Sequence, residues 1–244
     1  MIDESKRWPE SFPDIWASEW GEDEYGLWMA FHYKKIRHVM RWIEPGTFMM
    51  GSPEDEAERG SWGADETLHQ VTLSEGFWLG ATTVTHELWE AVTGENPSEF
   101  KGAQRPVEQV SWEGTQKFMA RLNKEIPGLE LDLPTEAQWE YASEKGKYCG
   151  KTFFDIEELS SNTWGLHQMH GDMEEWCRDW LGDYPSGPVV NPVGPSEGRF
   201  RVCRGGSWYS RGRLYLYTYR YGNTPDYCGN DLGFRLSRGR TGTR

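Results

Sequence analysis

Cysteines and histidines are the first side chains to search for chemistry, and here their spacing offers little. Cys149, Cys177, Cys203 and Cys228 contain no CxxC pair, so a zinc cage is not expected. No secretory leader is read at the N-terminus, so the thiols are expected to be free. His32, His38, His69, His86, His167 and His170 form no metal-binding pair on an expected helix. His86 and His170 are read as local hydrogen-bonding groups. The unusual chemistry lies elsewhere, in residues 209–231, YSRGRLYLYTYRYGNTPDYCGND. Six of the eleven tyrosines fall there, and Lys, Glu, Gln, Met and Trp are all missing.

That composition is the composition of a binding surface. Tyr supplies stiff, amphipathic contact area at low entropic cost, and Ser, Gly and Asn add adaptable hydrogen bonding. Within residues 213–221 the pattern alternates, which predicts a strand with Leu214 and Leu216 on one face. Tyr215, Tyr217, Tyr219 and Tyr221 fall on the other. The competing reading buries these tyrosines in a loop-rich core. Four phenol hydroxyls on one strand face would then each need a partner.

The elements that must position this surface can be read from the rest of the chain. A length of 244 residues fits one large domain, with or without an N-terminal extension. Abundant Trp and Gly with few aliphatics predict loops packed on aromatic anchors and little regular secondary structure. Residues 1–37, rich in Trp, Asp and Glu and broken by Pro9 and Pro13, are expected to form an arm packed on a domain spanning 38–244. A hairpin is expected from 38–43 and 47–52 about Pro45-Gly46, and two short strands about Gly76. Three helices are signalled next. Thr85 caps the first and Gly94 ends it; Ser111 caps the second, which Pro127-Gly128 ends; Thr135 and Gln138 make the capping box of the third. The fold class is α+β, with helices early and irregular β-structure late.

Charge and hydropathy exclude some functions. A net charge of −13 argues against a nucleic-acid surface. The basic tail Arg235, Arg238, Arg240 and Arg244 is read as a frayed end. No stretch reaches the about 18 apolar residues of a membrane span. The expected location is the cytoplasm, or a phage particle or another export route that needs no leader.

Several phrases then fall into a collinear series over residues 40–238: MRWIEPGTFMMGSPEDE (40–56), VTHELWEAVTGENPSEF (84–100), RPVEQVSWEGTQKF (105–118), LPTEAQWEYA (133–142), WGLHQMHGDMEEWCRDW (164–180), RGGSW (204–208) and NTPD with LGFRL (223–236). Together they resemble the formylglycine-generating enzyme, or sulfatase-modifying factor, domain. The resemblance implies an irregular C-type-lectin-like fold with RGGSW and LGFRL as paired core strands. The enzymes of that family use a cysteine pair between RGGS and NTPD to hold copper. Here that interval, WYSRGRLYLYTYRYG (208–222), contains no cysteine, and neither Tyr nor Ser replaces a thiolate on Cu(I). A related iron enzyme with three histidines also lacks its counterpart. The chain is therefore expected not to be an enzyme and to need no cofactor.

Within that domain the chain is most similar to the variable proteins of diversity-generating retroelements. In those proteins randomised AAY codons cannot encode Lys, Glu, Gln, Met or Trp, the five types missing from 209–231. The resemblance implies a variable ligand-binding region at 208–231: Trp208, Tyr209, Ser210, Arg211, Leu214, Tyr215, Tyr217, Tyr219, Tyr221, Gly222, Tyr227, Gly229, Asn230 and Asp231. Arg220 and Asp226 are expected as internal struts. The expected ligand is a protein or a cell-surface glycan, since an open tyrosine face is not a deep pocket. HGDMEEWC (170–177) matches a family phrase that holds a structural Ca²⁺, implying Asp172 and Glu175 as ligands; the alternative is a salt-bridged or capping acidic turn.

Overall fold

Apolar side chains at alternate or successive positions build the first sheet of the computed structural model, which describes residues 6–55, 65–143, 161–209 and 218–239. Strands β1 (Glu19–Asp23), β2 (Gly26–Tyr33), β3 (Ile36–Ile43), β6 (Phe77–Gly80) and β12 (Ser237–Gly239) form five strands in the order β1-β2-β3-β6-β12. Met29, Ala30 and Phe31 of β2 are buried in succession, so both faces of this strand are covered. The expected arm over 1–37 is thus corrected. Only its first part packs on the body, with Trp16 buried edge-on to Trp78 at 6.1 Å. From Glu19 onward it is sheet. The Trp and acid composition of the segment obscured the period of β2, whose β3-facing register runs from Trp28 to Tyr33.

The Pro45-Gly46 turn does not make a hairpin. Strand β4 (Gly46–Met50) leaves the first sheet and pairs with β5 (His69–Leu73), which also takes β8 (Val189–Val190) in parallel. A side chain at Gly46 would meet the Tyr141 hydroxyl at 2.0 Å, so a larger residue where the chain crosses between sheets would have to displace the Tyr141 ring. Likewise β5 and β6 flank Gly76 as expected but belong to different sheets. A turn signal fixes where a chain bends and says nothing about which strand it then meets.

The helices follow their local chemistry closely. Helix α1 (His86–Thr93) starts at Thr85, whose hydroxyl accepts from Leu88 N–H, and ends at left-handed Gly94. Helix α2 (Trp112–Glu125) is capped by Ser111, which accepts from Gly114 N–H. Helix α3 (Glu136–Ser143) carries the reciprocal box: Gln138 N–H donates to Thr135 Oγ1 at 3.1 Å, and Thr135 N–H donates to Gln138 Oε1 at 2.9 Å. Helices α1 and α2 join through Trp89 and Phe118, stacked at 5.1 Å, with Phe234 edge-on to both.

The remaining sheet carries the C-terminal motifs. Strands β7 (Glu174–Trp180), β9 (Arg201–Arg204), β10 (Arg220–Asn223) and β11 (Leu232–Gly233) lie in the order β10-β9-β7-β11. The two motifs expected to pair with each other instead flank β7 on opposite sides, antiparallel through β9 and parallel through β11. Among the described residues no helix is long and apolar enough to cross a membrane.

Candidate functional site

One register row crosses the four-stranded sheet: Arg220 faces Arg204, Arg204 faces Glu175, and Glu175 faces Gly233. Two guanidiniums side by side would repel. Helix α3 resolves this by placing Glu136 between them. Its Oε1 accepts from Arg220 Nε at 2.6 Å and Arg204 Nη1 at 3.1 Å, and Oε2 accepts from Arg220 Nη2 at 2.8 Å. Arg204 also reaches Glu140, and Arg220 donates to the Asp65 and Gly182 carbonyls while lying 3.7 Å over the Tyr184 ring. Burial pushes the Glu136 carboxyl up, but Arg220 and then Arg204 outweigh it and hold it below the usual range. Further along the row, Glu175 accepts a fork from Arg235 (2.8 and 2.7 Å) and the Trp139 indole N–H at 2.9 Å. These groups clamp both feet of the segment from Gly205 to Tyr219.

Above the clamp lies an aromatic face. Tyr209, Tyr221 and Tyr227 are 76%, 40% and 44% exposed. Trp208 stands edge-on to both Tyr209 (5.8 Å) and Phe100 (5.6 Å). The backbone under it is tied down: Trp208 N–H donates to the Asp172 carbonyl, Gly171 N–H to Gly205, and the Ser207 hydroxyl to Asp231 Oδ2 at 2.9 Å. Gly205 and Gly206, at φ 101° and 63°, turn the chain out of β9 in a conformation that favours glycine. The 224–231 loop is anchored separately. Gln109 N–H donates to the Gly229 carbonyl, Glu113 N–H to Pro225, and the Asn230 amide to Glu99 Oε2 at 2.8 Å.

The structure brings Trp208, Tyr209, Tyr221, Tyr227, Asn230 and Asp231 to one region. Ser210, Arg211, Leu214, Tyr215, Leu216 and Tyr217 lie outside the described residues. Three expectations are corrected. Tyr219 is buried at 6% exposure, unlike Tyr221, because Thr218, Tyr219 and Arg220 are buried in succession and the strand begins only at Arg220. The period-2 pattern thus fails where Arg220 must turn inward to Glu136. Gly222 and Gly229 do not offer open contact surface: a side chain at Gly222 would meet Leu181 at 2.9 Å, and Gly229 is buried against Tyr227 and Asp231. Asp226 is exposed and is no internal strut, whereas Arg220 is one. Sequence reasoning missed Glu99, Phe100 and Glu174, which join the face from distant segments without any local signal.

The Ca²⁺ expectation meets a poor fit. Both Glu175 oxygens are committed to Arg235 and Trp139, and a guanidinium at the carboxylate opposes a second cation. Asp172 is buried, accepts one bond from Gln168 Nε2 at 2.6 Å, and has its carboxyl pushed up to about 7 by burial. Among the described residues no three His, Cys, Asp or Glu gather as a metal site. Cys177 and Cys203 are buried free thiols held protonated by burial, and Cys228 is an exposed free thiol.

A cavity of about 730 Å³ shares no residue with the aromatic face; Lys6, Arg178 and Arg238 on its walls are each already paired with a carboxylate. It offers no unspent cation for chemistry.

Known proteins agree with this architecture. The pattern of the sulfatase-modifying factor enzyme 1-like domain matches residues 31–158 and 150–240. Serine/threonine-protein kinase pkn1 of Chlamydia caviae is 28% identical, over 82% of this chain but only 38% of the kinase, so the chain spans well under half of that relative's length. The formylglycine-generating enzyme of Streptomyces coelicolor is 28% identical, over 75% of this chain and 70% of the enzyme. Among solved structures, Treponema denticola variable protein 1 matches with a TM-score of 0.74 and 26% identity, covering 86% of this chain and 98% of that one. The expected C-type-lectin-like fold and the resemblance to variable proteins both hold.

Proposed function

The chain belongs to the sulfatase-modifying factor enzyme 1-like domain family, and from that premise we propose that it is a ligand-binding member without oxidase activity. Its contact surface is the aromatic face of Trp208, Tyr209, Tyr221 and Tyr227, with the residues from 210 to 217 between them in the chain. The observation that carries this reading is the pairing of exposed phenols with a buried clamp at both feet of the segment that bears them. A monomer gains nothing by exposing such rings, and rigid aromatic anchors lose little entropy when a partner docks. The likeness to a variable protein supports this reading, and so does the absence of cysteine from 208–222.

The test is twofold. The purified chain is loaded with copper and iron in turn and assayed for oxygen consumption with a cysteine-bearing sulfatase peptide; no turnover is expected, and turnover would retire the reading. Ligands are then selected from a displayed peptide library, and Tyr209→Ala with Tyr227→Ala is expected to abolish capture. A retroelement origin further predicts a near-repeat of the gene's 3′ end nearby, differing only at adenines. Intact neighbouring DNA without one removes that origin.

A further inference from the structure

Three buried carboxylates of the frame hold a guanidinium, and among the described residues Glu174 and Asp231 beneath the aromatic face hold none. Glu136, Glu140 and Glu175 are neutralised by Arg204, Arg220 and Arg235. Glu174, one residue from Glu175 on β7, points with Leu232 and away from that row. It stands beside Asp231, whose carbonyl accepts its N–H at 2.9 Å. Among the described residues neither carboxylate is paired with Lys or Arg; Asp231 takes only the Ser207 hydroxyl. Tyr221, in register with Cys203 and Trp176, shares the Glu174 face of the sheet, the Tyr227 ring and the Asp231 carboxylate both crowd Gly229, and the Glu99 carboxylate accepts from Asn230. Resting on the reading of this face as the contact surface, we infer that its ligand is a protein segment that inserts a Lys or Arg side chain between Tyr221 and Tyr227, onto Glu174 and Asp231.

Charge complementarity selects this occupant. Two adjacent carboxylates with no counter-ion among the described residues destabilise each other, and a cation brought by a partner removes that cost at binding. The ring faces of two tyrosines attract the same cation. The chain as a whole is acidic, with a net charge of −13, so a basic partner is also steered toward it.

The experiment uses the full chain with three probes: Gly-Ser peptides bearing two Lys, two Arg, or two Glu, followed by isothermal titration and by aromatic-ring NMR shifts. Lys and Arg peptides are expected to bind, to shift Tyr221 and Tyr227, and to weaken with salt. Glu174→Gln, isosteric with the protonated acid and so expected to fold, should lower their affinity about tenfold, the scale of one charge-assisted contact. Equal binding of the Glu peptide, or an unchanged affinity in Glu174→Gln, overturns the inference. If library-selected ligands dock on the tyrosines with no preference for basic residues, or if neutral glycans do, the cation inference falls and the face remains. If selected ligands map away from the tyrosines, the face itself falls.

Discussion

Strands β9 and β10 carry two kinds of surface within a few residues of each other. Arg204 and Arg220 at their buried ends share Glu136, and all three guanidinium nitrogens of Arg220 meet partners on other segments. Tyr209 and Tyr221, just beyond or beside those arginines, are 76% and 40% exposed. The contrast separates stability from recognition. A buried charge network fixes geometry because removing any member strands the others, whereas exposed rings can change without disturbing what lies beneath them.

The frame breaks hardest at Glu136. Glu136→Ala leaves two buried guanidiniums without their shared carboxylate, and breaking even one such pair costs about 3–5 kcal/mol. Denaturant unfolding should therefore show loss of most of the stability, or no folded protein. Arg220→Met together with Glu136→Leu should be milder than Glu136→Ala, because no charge is left behind from that pair and only Arg204 must turn wholly to Glu140. Equal losses would show that shape, not charge, makes the clamp. Next in size is Gly233→Ala. Its side chain would stand 2.5 Å from the Val107 carbonyl and 2.4 Å from the Met173 sulfur, and overpacking of this kind costs about 1–3 kcal/mol. A change within a few tenths would mean β11 can shift, and with it the floor of the face.

How much of this division was legible beforehand follows the range of the forces. Thr85, Ser111 and the Thr135–Gln138 box were readable because a cap bonds a neighbour three residues away. Ser111→Ala should accordingly cost about 1 kcal/mol. The family resemblance marked Arg220 as an internal strut, but it read RGGSW as strand where Gly205 and Gly206 turn the chain out of β9. Sheet partnership was not legible. Pro45-Gly46 marked a bend correctly but could not say that β4 leaves β3 for β5. Tyr219 misled for a similar reason: alternation predicts a common face only while the strand is regular, and the inward pull of Glu136 on Arg220, across 84 positions of sequence, ends that regularity. Glu174 went unnoticed because it differs from Glu175 only in which face of β7 it occupies.

That single difference of face gives the comparison a pH signature. Glu175, forked by Arg235, and Glu174, with no cation among the described residues, stand on adjacent positions of one strand. A carboxyl raised to about 8 adds stability that is fully present below the ordinary carboxylate range and is lost as pH rises toward that value. Glu174→Gln should flatten the decline in stability between about pH 5 and 8. It should not abolish it, since burial also raises Glu140, Asp172 and Asp179 to about 7. A curve parallel to that of the parent chain would mean Glu174 is already neutralised.

The smallest expected effect is the one that tests the division most directly. Tyr209 is 76% exposed and touches the body chiefly through the edge of Trp208. Tyr209→Ala should move stability by no more than about 0.5 kcal/mol, as for other surface positions, while Tyr227→Ala should do nearly the same because the 224–231 loop is held by backbone bonds from Gln109 and Glu113. Chemical denaturation of both variants beside binding of a selected ligand separates the two quantities. Unchanged unfolding with lost binding is the expected pair of results. A loss of several kcal/mol at Tyr209 would mean the ring props up Trp208 and the segment that follows, and the surface would then be part of the frame.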